Sequence, residues 1–161
     1  MPGVLLQILL TPLLGTALAF LLRRRAGHLV GWIVSATLLY TTALATMVGV
    51  EVAGGTVLAE EYVVIAPDIR FGLLADGLSV PTLAVVLLLC SALTIYSIRY
   101  IDHRVEVVYG SLSPAEQASY YARFFYLVPL FPVGFIGTIL STNLVSVYFF
   151  MEVLTLTLFF L

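Results

Sequence analysis

Glu152 has the clearest capacity for chemistry in this sequence, because it is the only charged side chain in the apolar run from Leu144 to Leu161. Crossing a hydrocarbon core of roughly 30 Å takes about 20 helical residues, so the run predicts a membrane-spanning helix. Glu152 would then lie near the bilayer centre, where a charge costs at least about 2.5 kcal/mol. A carboxyl is tolerated there if it is protonated, paired with a cation or placed beside a wet cavity. All three conditions bear on ion movement.

The helical phase of this run predicts that Glu152 belongs to a narrow polar stripe. At 100° per residue, four polar residues fall within an arc of about 60°: Ser141, Tyr148, Glu152 and Thr155. Apolar side chains occupy the opposite side: Val147, Phe150, Leu154 and Leu158. We therefore expect Glu152 to serve in a proton path, with Tyr148, Thr155 and Ser141 in support. The alternative is a protonated structural carboxyl that bonds to a neighbouring helix.

The composition indicates an integral membrane protein. The 161 residues are 61% hydrophobic and only 10% charged, against about 25% charged residues in soluble domains. The sequence has no clustered His and Cys, no glycine-rich nucleotide motif and one cysteine, Cys90. We therefore expect no catalytic site, cofactor, metal or internal disulfide in this chain. We expect no nucleic-acid partner, because the few arginines lie at the predicted membrane edges.

Hydropathy predicts an all-α, multi-pass bundle of about five helices. The predicted spans are 4–22, 29–50, 78–98, 124–140 and 144–161. An outside N-terminus places six of the seven basic residues on the cytoplasmic side, which fits the positive-inside rule. These six are Arg23, Arg24, Arg25, Arg99, Arg104 and Arg123. We expect this orientation in a cell membrane.

The segments between the spans carry local signals. Thr56–Leu58 and Tyr62–Ile65 suggest a short β-hairpin between the second and third helices. Asp76 or Ser79 is a candidate N-cap for the third helix. Residues 99–123 are predicted to form a polar loop that holds a short helix, since Ser113 and Glu116 have capping-box spacing. Residues 141–143 are predicted to form a tight turn.

Three stretches in order carry a family resemblance: Ile69–Ser79 (IRFGLLADGLS), Tyr96–Ile101 (YSIRYI), and Phe124–Leu127 followed by Leu140–Leu144, Tyr148 and Met151-Glu152. They resemble the antiporter-like subunits of respiratory complex I, most closely the chain M type of NADH–quinone oxidoreductase. The wider family includes membrane subunits of Mrp-type antiporters and of energy-converting hydrogenases. The match covers the whole chain but only the N-terminal third or so of the family's length. Since the apolar run reaches Leu161 without a polar tail, we expect a piece of a longer or split protein.

The resemblance implies that Glu152 is a proton-path carboxylate in a membrane-arm subunit that has no redox cofactor of its own. The family pairs this glutamate with a lysine on a later helix, whereas all seven basic residues of this chain are arginines. Met151 stands where the family often has tryptophan. The implied partners are the lipid bilayer, other membrane-arm subunits and the remainder of a split subunit.

Two alternatives stay open at the level of sequence. The chain could belong to a Mrp-type sodium/proton antiporter or a hydrogenase rather than to a respiratory complex. It could also be a structural piece of a membrane arm without a complete channel. In the leading hypothesis, a mobile cation on another segment sets the proton affinity of Glu152, and redox chemistry elsewhere drives that movement.

Overall fold

Helices account for most of the computed structural model, which describes residues 3–23, 27–66 and 69–161. The helices are α1 (Val4–Leu22), α2 (Leu29–Ala53), α3 (Ser79–Tyr109), α4 (Pro114–Leu127), α5 (Leu130–Leu140) and α6 (Leu144–Phe160). A two-stranded antiparallel hairpin, β1 (Leu58–Ala66) and β2 (Ile69–Ala75), lies between α2 and α3. Since α4 and α5 form one stretch that Pro129 interrupts, the predicted class of about five helices with a hairpin is confirmed.

Four of these helical stretches are long and apolar enough to cross a membrane: α1, α2, α3 and the α4–α5 stretch Pro114–Leu140. The chain is therefore a multi-pass membrane protein. Helix α6 is also apolar but has 17 residues, a length of about 26 Å at 1.5 Å per residue.

The chain alternates in direction through α1, α2, α3, the α4–α5 stretch and α6, so the described bundle has two distinct ends. The hairpin lies at one end, which we call the hairpin end. The opposite end, where α1 and α3 finish and α2 and α4 begin, is called the arginine end. Its described arginines are Arg23, Arg99, Arg104 and Arg123, whereas Arg70 lies on the hairpin. Arg24 and Arg25 of the predicted cytoplasmic cluster lie outside the described residues.

The prediction of a polar loop over residues 99–123 is wrong. Helix α3 continues to Tyr109, and α4 begins at Pro114. The predicted capping box is present, because Ser113 Oγ accepts from the Glu116 amide and the Glu116 carboxylate accepts from the Ser113 amide. A helix satisfies its own backbone hydrogen bonds, so it can continue into water where its apolar sequence stops.

The β-hairpin is present, but its strands differ from those predicted. The predicted segment Tyr62–Ile65 lies in β1, but Thr56–Leu58 contributes only Leu58. The second strand is Ile69–Ala75, which was not predicted as a strand. Leu73 and Ala75 are buried in the core. The pairing also has irregularities at Glu61/Val63 and Val64/Ala66. Asp68, which falls between the two strands in the sequence, lies outside the described residues.

The carboxylate of Asp76, one of the two predicted caps, binds the amides at the start of α3, although Leu78 is the residue at the N-cap position. The Asp76 carboxylate accepts hydrogen bonds from the Ser79 amide at 2.8 Å and the Leu78 amide at 3.0 Å. In return, Ser79 Oγ accepts from the Asp76 amide. The bonds from Ser79 and then Leu78 hold the pKa of Asp76 below its ordinary value, because they stabilise the charged carboxylate.

Polar side chains of α2 connect it to the neighbouring helices. Tyr40 Oη accepts from Gln7 Nε2 of α1 at 2.8 Å, and the hydroxyls of Thr42 and Ser91 of α3 are 3.0 Å apart. Such bonds between helices add to van der Waals packing in a membrane. At the arginine end, Tyr121 and Phe125 are buried in a second core cluster, so these two aromatic side chains are packing residues.

Glycines on α5 bring α6 into close contact. Phe150 packs against Gly137, and Leu154 packs against Gly134. A Cβ atom at either glycine would overlap these side chains. Small residues have this role in membrane helix pairs because they let two backbones approach closely.

We expect Gly137→Ala to destabilise the protein by about 1–3 kcal/mol, the usual cost of overpacking a well-packed site. The measurement is the thermal midpoint of unfolding in detergent. Gly77→Ala is the matched control, because a Cβ there meets no atom within 4 Å. Equal midpoints for the two variants would contradict the close α5–α6 contact.

Candidate functional site

Glu152 lies close to the middle of α6. The helix begins at Leu144, where Asn143 Oδ1 accepts a hydrogen bond from the Ser146 amide at 2.9 Å and caps the first turn. Eight residues separate Leu144 from Glu152, a rise of about 12 Å within a helix of about 26 Å. The carboxyl is therefore attached about halfway along an otherwise apolar segment.

The turn before α6 is fixed to the hairpin, so the position of the helix does not depend on α5 alone. Asn143 Nδ2 donates to the Arg70 carbonyl at 2.6 Å. The amide and hydroxyl of Thr142 both donate to the Gly72 carbonyl at 3.2 Å. The predicted tight turn at residues 141–143 is confirmed, and it holds the first turn of α6 against β2.

Two of the three predicted supporting residues share the exposed face of α6 with Glu152. Thr155 Oγ1 lies 3.2 Å from Glu152 Oε2 and 3.0 Å from the Glu152 carbonyl oxygen, either of which can accept its proton. Tyr148 lies one turn earlier and is 67% exposed. Glu152 itself is exposed. The polar stripe of α6 thus consists of Tyr148, Glu152 and Thr155.

Ser141 does not belong to this stripe. It follows the last residue of α5 in an extended conformation and forms an isolated β-bridge with Leu73 of β2. Its hydroxyl donates to the Gly137 carbonyl at 2.5 Å. The helical-phase argument placed Ser141 with Glu152 only because it continued α6 backwards through the turn.

The opposite face of α6 packs against the bundle. Phe150 is 6% exposed, Thr157 is buried and Leu154 is half-buried. The Phe150 ring also lies 6.3 Å from the Phe71 ring of β2. Leu158, which the helical phase placed on this apolar side, is 60% exposed beyond the α5 contact.

No cation faces Glu152 in the part of the chain that the structure describes. The ion pairs there are Arg70–Glu61 at 2.9 Å and His28–Asp102 at 3.1 Å, and both are solvent-exposed. The stripe lies on the exposed side of α6, whereas Phe150 and Leu154 pack against α5. Any cation that pairs with the Glu152 carboxyl must therefore come from outside the described residues.

Two polar clusters were not predicted from the sequence. Near the arginine end, the His28 ring pairs with Asp102 and lies 5.0 Å from the Tyr121 ring. At the hairpin end, Glu60 accepts from the Leu6 amide at 3.3 Å and from the Tyr62 hydroxyl. Burial raises the pKa of Tyr62, and the hydrogen bond to Glu60 raises it further.

These clusters carry no local sequence signal, because their members come from different elements. The Glu60 carboxylate accepts a hydrogen bond from the amide of Leu6. Leu6 lies in the first turn of α1, where backbone amides lack partners within the helix. The carboxylate therefore stabilises the start of α1 from the hairpin.

In comparisons with known proteins, no family model and no curated protein matches this chain.

We expect Glu152→Ala and Glu152→Gln to leave the thermal midpoint in detergent almost unchanged, because the side chain is exposed and its hydrogen bond in the described chain is to Thr155 on the same exposed face. Phe150→Ala is the contrasting variant on the same helix. It should lower the free energy of unfolding by about 3–5 kcal/mol through loss of a buried ring. A large loss of stability in Glu152→Gln would mean that the carboxyl has a structural role.

Proposed function

We propose that this chain is a proton-translocating membrane-arm subunit of a respiratory NADH–quinone oxidoreductase-like complex in the cell membrane. Glu152 is the proton-path carboxylate in this proposal. The observation that carries it is a carboxyl halfway along an apolar helix, on a face that the described chain leaves uncovered. An ionisable group at membrane depth is costly and is therefore associated with function.

The uncovered face of α6 limits what can surround the Glu152 carboxyl in a membrane. A carboxylate facing lipid alone would be strongly destabilised, so Glu152 must be neutral, hydrated or close to a cation. The described residues supply no cation there. The motif resemblance supports a lysine on a further helix, from the rest of the subunit or from a neighbouring membrane-arm subunit.

The proton steps follow from this arrangement. With the cation distant, the Glu152 carboxylate takes a proton from water on one side of the membrane and becomes neutral. With the cation close, the charged form is favoured, and the proton leaves to water on the other side. No bond to carbon changes and no electron moves through this chain, so the energy comes from redox chemistry in another subunit.

The stripe also contains groups that can relay a proton. The hydroxyl of Thr155 is in hydrogen-bond range of the carboxyl, and Tyr148 lies a turn away on the same face. Hydroxyl groups donate and accept at once, so they can connect a carboxyl to water. This property distinguishes the stripe from the apolar surface around it.

The direct test is Glu152→Gln in the intact complex, with proton uptake measured in inverted vesicles during NADH oxidation. Glutamine keeps the shape and hydrogen bonding of the side chain but cannot exchange the proton, so we expect proton transfer along this path to fall at least about tenfold. Glu61→Gln is the control, because that exposed carboxylate pairs only with Arg70.

Unchanged pumping at full coupling in Glu152→Gln would remove Glu152 from the path. It would leave a structural role in the membrane arm. Pumping that requires sodium in the unmodified complex would instead favour an antiporter of the Mrp type.

A second prediction concerns water beside the stripe. In a Cys90→Ser background, we expect Thr155→Cys to react with a water-soluble maleimide in intact membranes, because a proton path must be hydrated. Leu156→Cys should not react, although its side chain is 55% exposed at almost the same depth. Labelling is read by a mass shift of the chain, and equal labelling of both cysteines would argue against a hydrated stripe.

A further inference from the structure

An open cleft lies at the arginine end, between α3, the α4–α5 stretch and the end of α6. It consists of two hollows that share Phe124 and Leu161 in their walls. The hollow nearer the membrane edge has a volume of about 390 Å³, and the deeper hollow has a volume of about 230 Å³. The cleft is distinct from the polar stripe of α6, since none of Tyr148, Glu152 and Thr155 lines it.

The mouth of the cleft is basic. Arg104 of α3 and Arg123 of α4 line the hollow nearer the edge, and both are exposed. Within the described residues neither arginine forms an ion pair with a carboxylate. The rings of Tyr109 and Tyr120 stack 4.2 Å apart in the same wall and fasten the end of α3 to α4. Two arginines thus line one hollow to which the described chain contributes no carboxylate side chain.

The depth of the cleft is apolar. Leu93 of α3 and Val128 and Phe131 of the α4–α5 stretch line the inner hollow. Eleven residues of α3 separate Leu93 from Arg104, a rise of about 16 Å. This length is close to one leaflet of hydrocarbon, half of about 30 Å.

We propose that this cleft binds one anionic phospholipid of the cytoplasmic leaflet. Its phosphate contacts Arg104 and Arg123, and one acyl chain lies along α3 towards Leu93. Basic pockets between transmembrane helices at the cytoplasmic face suit such head groups, and guanidinium groups bind phosphate oxygens through paired hydrogen bonds.

The charges of Arg104 and Arg123 favour an anionic phospholipid over other occupants of the cleft. A zwitterionic lipid offers the same phosphate but brings its own cationic group beside the two arginines, whereas an anionic lipid does not. A partner helix would have to bring a carboxylate to the same depth and fill the apolar hollow as well. The proposal does not depend on proton translocation, because it concerns other residues and a binding equilibrium.

The test is native mass spectrometry of the complete protein, isolated in a mild detergent with any subunits that remain attached. Phosphatidylglycerol and phosphatidylcholine with identical acyl chains are titrated separately. We expect phosphatidylglycerol to bind at one saturable site and at least tenfold more tightly than phosphatidylcholine. Equal affinities would overturn the proposal, as would a tightly bound protein subunit that excludes both lipids.

Variants locate the site. Arg104→Gln with Arg123→Gln should weaken phosphatidylglycerol binding about thirtyfold, from the loss of two cationic contacts. The control, Arg70→Gln with Arg99→Gln, removes the same charge outside the cleft and should bind like the unmodified protein. Wild-type affinity in the first double variant would overturn the assignment.

A matched pair of tryptophan variants tests the apolar half of the site. Leu93→Trp fills the inner hollow and should weaken binding of phosphatidylglycerol at least tenfold. Leu89→Trp places the same ring on the same helix outside the cleft, and the two leucines are similarly exposed, at 60% and 59%. Equal binding by these variants would show that no acyl chain enters the hollow.

Discussion

The contact between α5 and α6 determines which side of the site helix faces the bundle. Hydrophobic burial gives little preference among helix faces in a bilayer, because lipid is as apolar as leucine, so close packing decides. Phe150 and Leu154 fill the space that Gly137 and Gly134 leave open. Once these side chains are seated, the rotation of α6 is fixed, and Tyr148, Glu152 and Thr155 must face away from the described helices.

The hairpin supplies the second constraint, because it fixes the position of α6 along the axis of that helix. Strand β2 accepts hydrogen bonds from Thr142 and Asn143 through its carbonyl oxygens. Asn143 at the same time caps α6 through its side-chain oxygen. One residue thus starts the helix and attaches it to the hairpin. Together with the glycine contact, this attachment sets both the rotation and the depth of Glu152.

The two ends of the bundle differ in how they satisfy their charges. At the hairpin end, three carboxylates have partners in the described chain. Asp76 accepts a hydrogen bond from an amide of α3, Glu60 accepts one from an amide of α1, and Glu61 forms an ion pair with Arg70. At the arginine end, Arg104 and Arg123 have no such partner among the described residues. The structure therefore satisfies these three acidic groups within the chain and leaves two arginines of the opposite end exposed to their surroundings.

Local sequence was sufficient wherever a feature depends on neighbours along the chain. The length of the apolar segments predicted the helices, and the spacing of Ser113 and Glu116 predicted a helix start. The helical period of three to four residues placed Tyr148, Glu152 and Thr155 on one face. It was insufficient where an element's extent depends on packing. Residues 99–123 are mostly helical because a helix can leave the membrane without losing its backbone hydrogen bonds, and Ile69–Ala75 is a strand because β1 lies beside it.

The sequence by itself determined that a carboxyl lies mid-way along an apolar helix, because both facts follow from residue order and helical rise. Only the tertiary structure decided that Ser141 belongs to the hairpin contact and that the Glu152 face is uncovered. It also brought together His28 with Asp102, and Arg104 with Arg123. Those outcomes depend on which side chains fit between helices that are distant in sequence, and no local pattern encodes that fit.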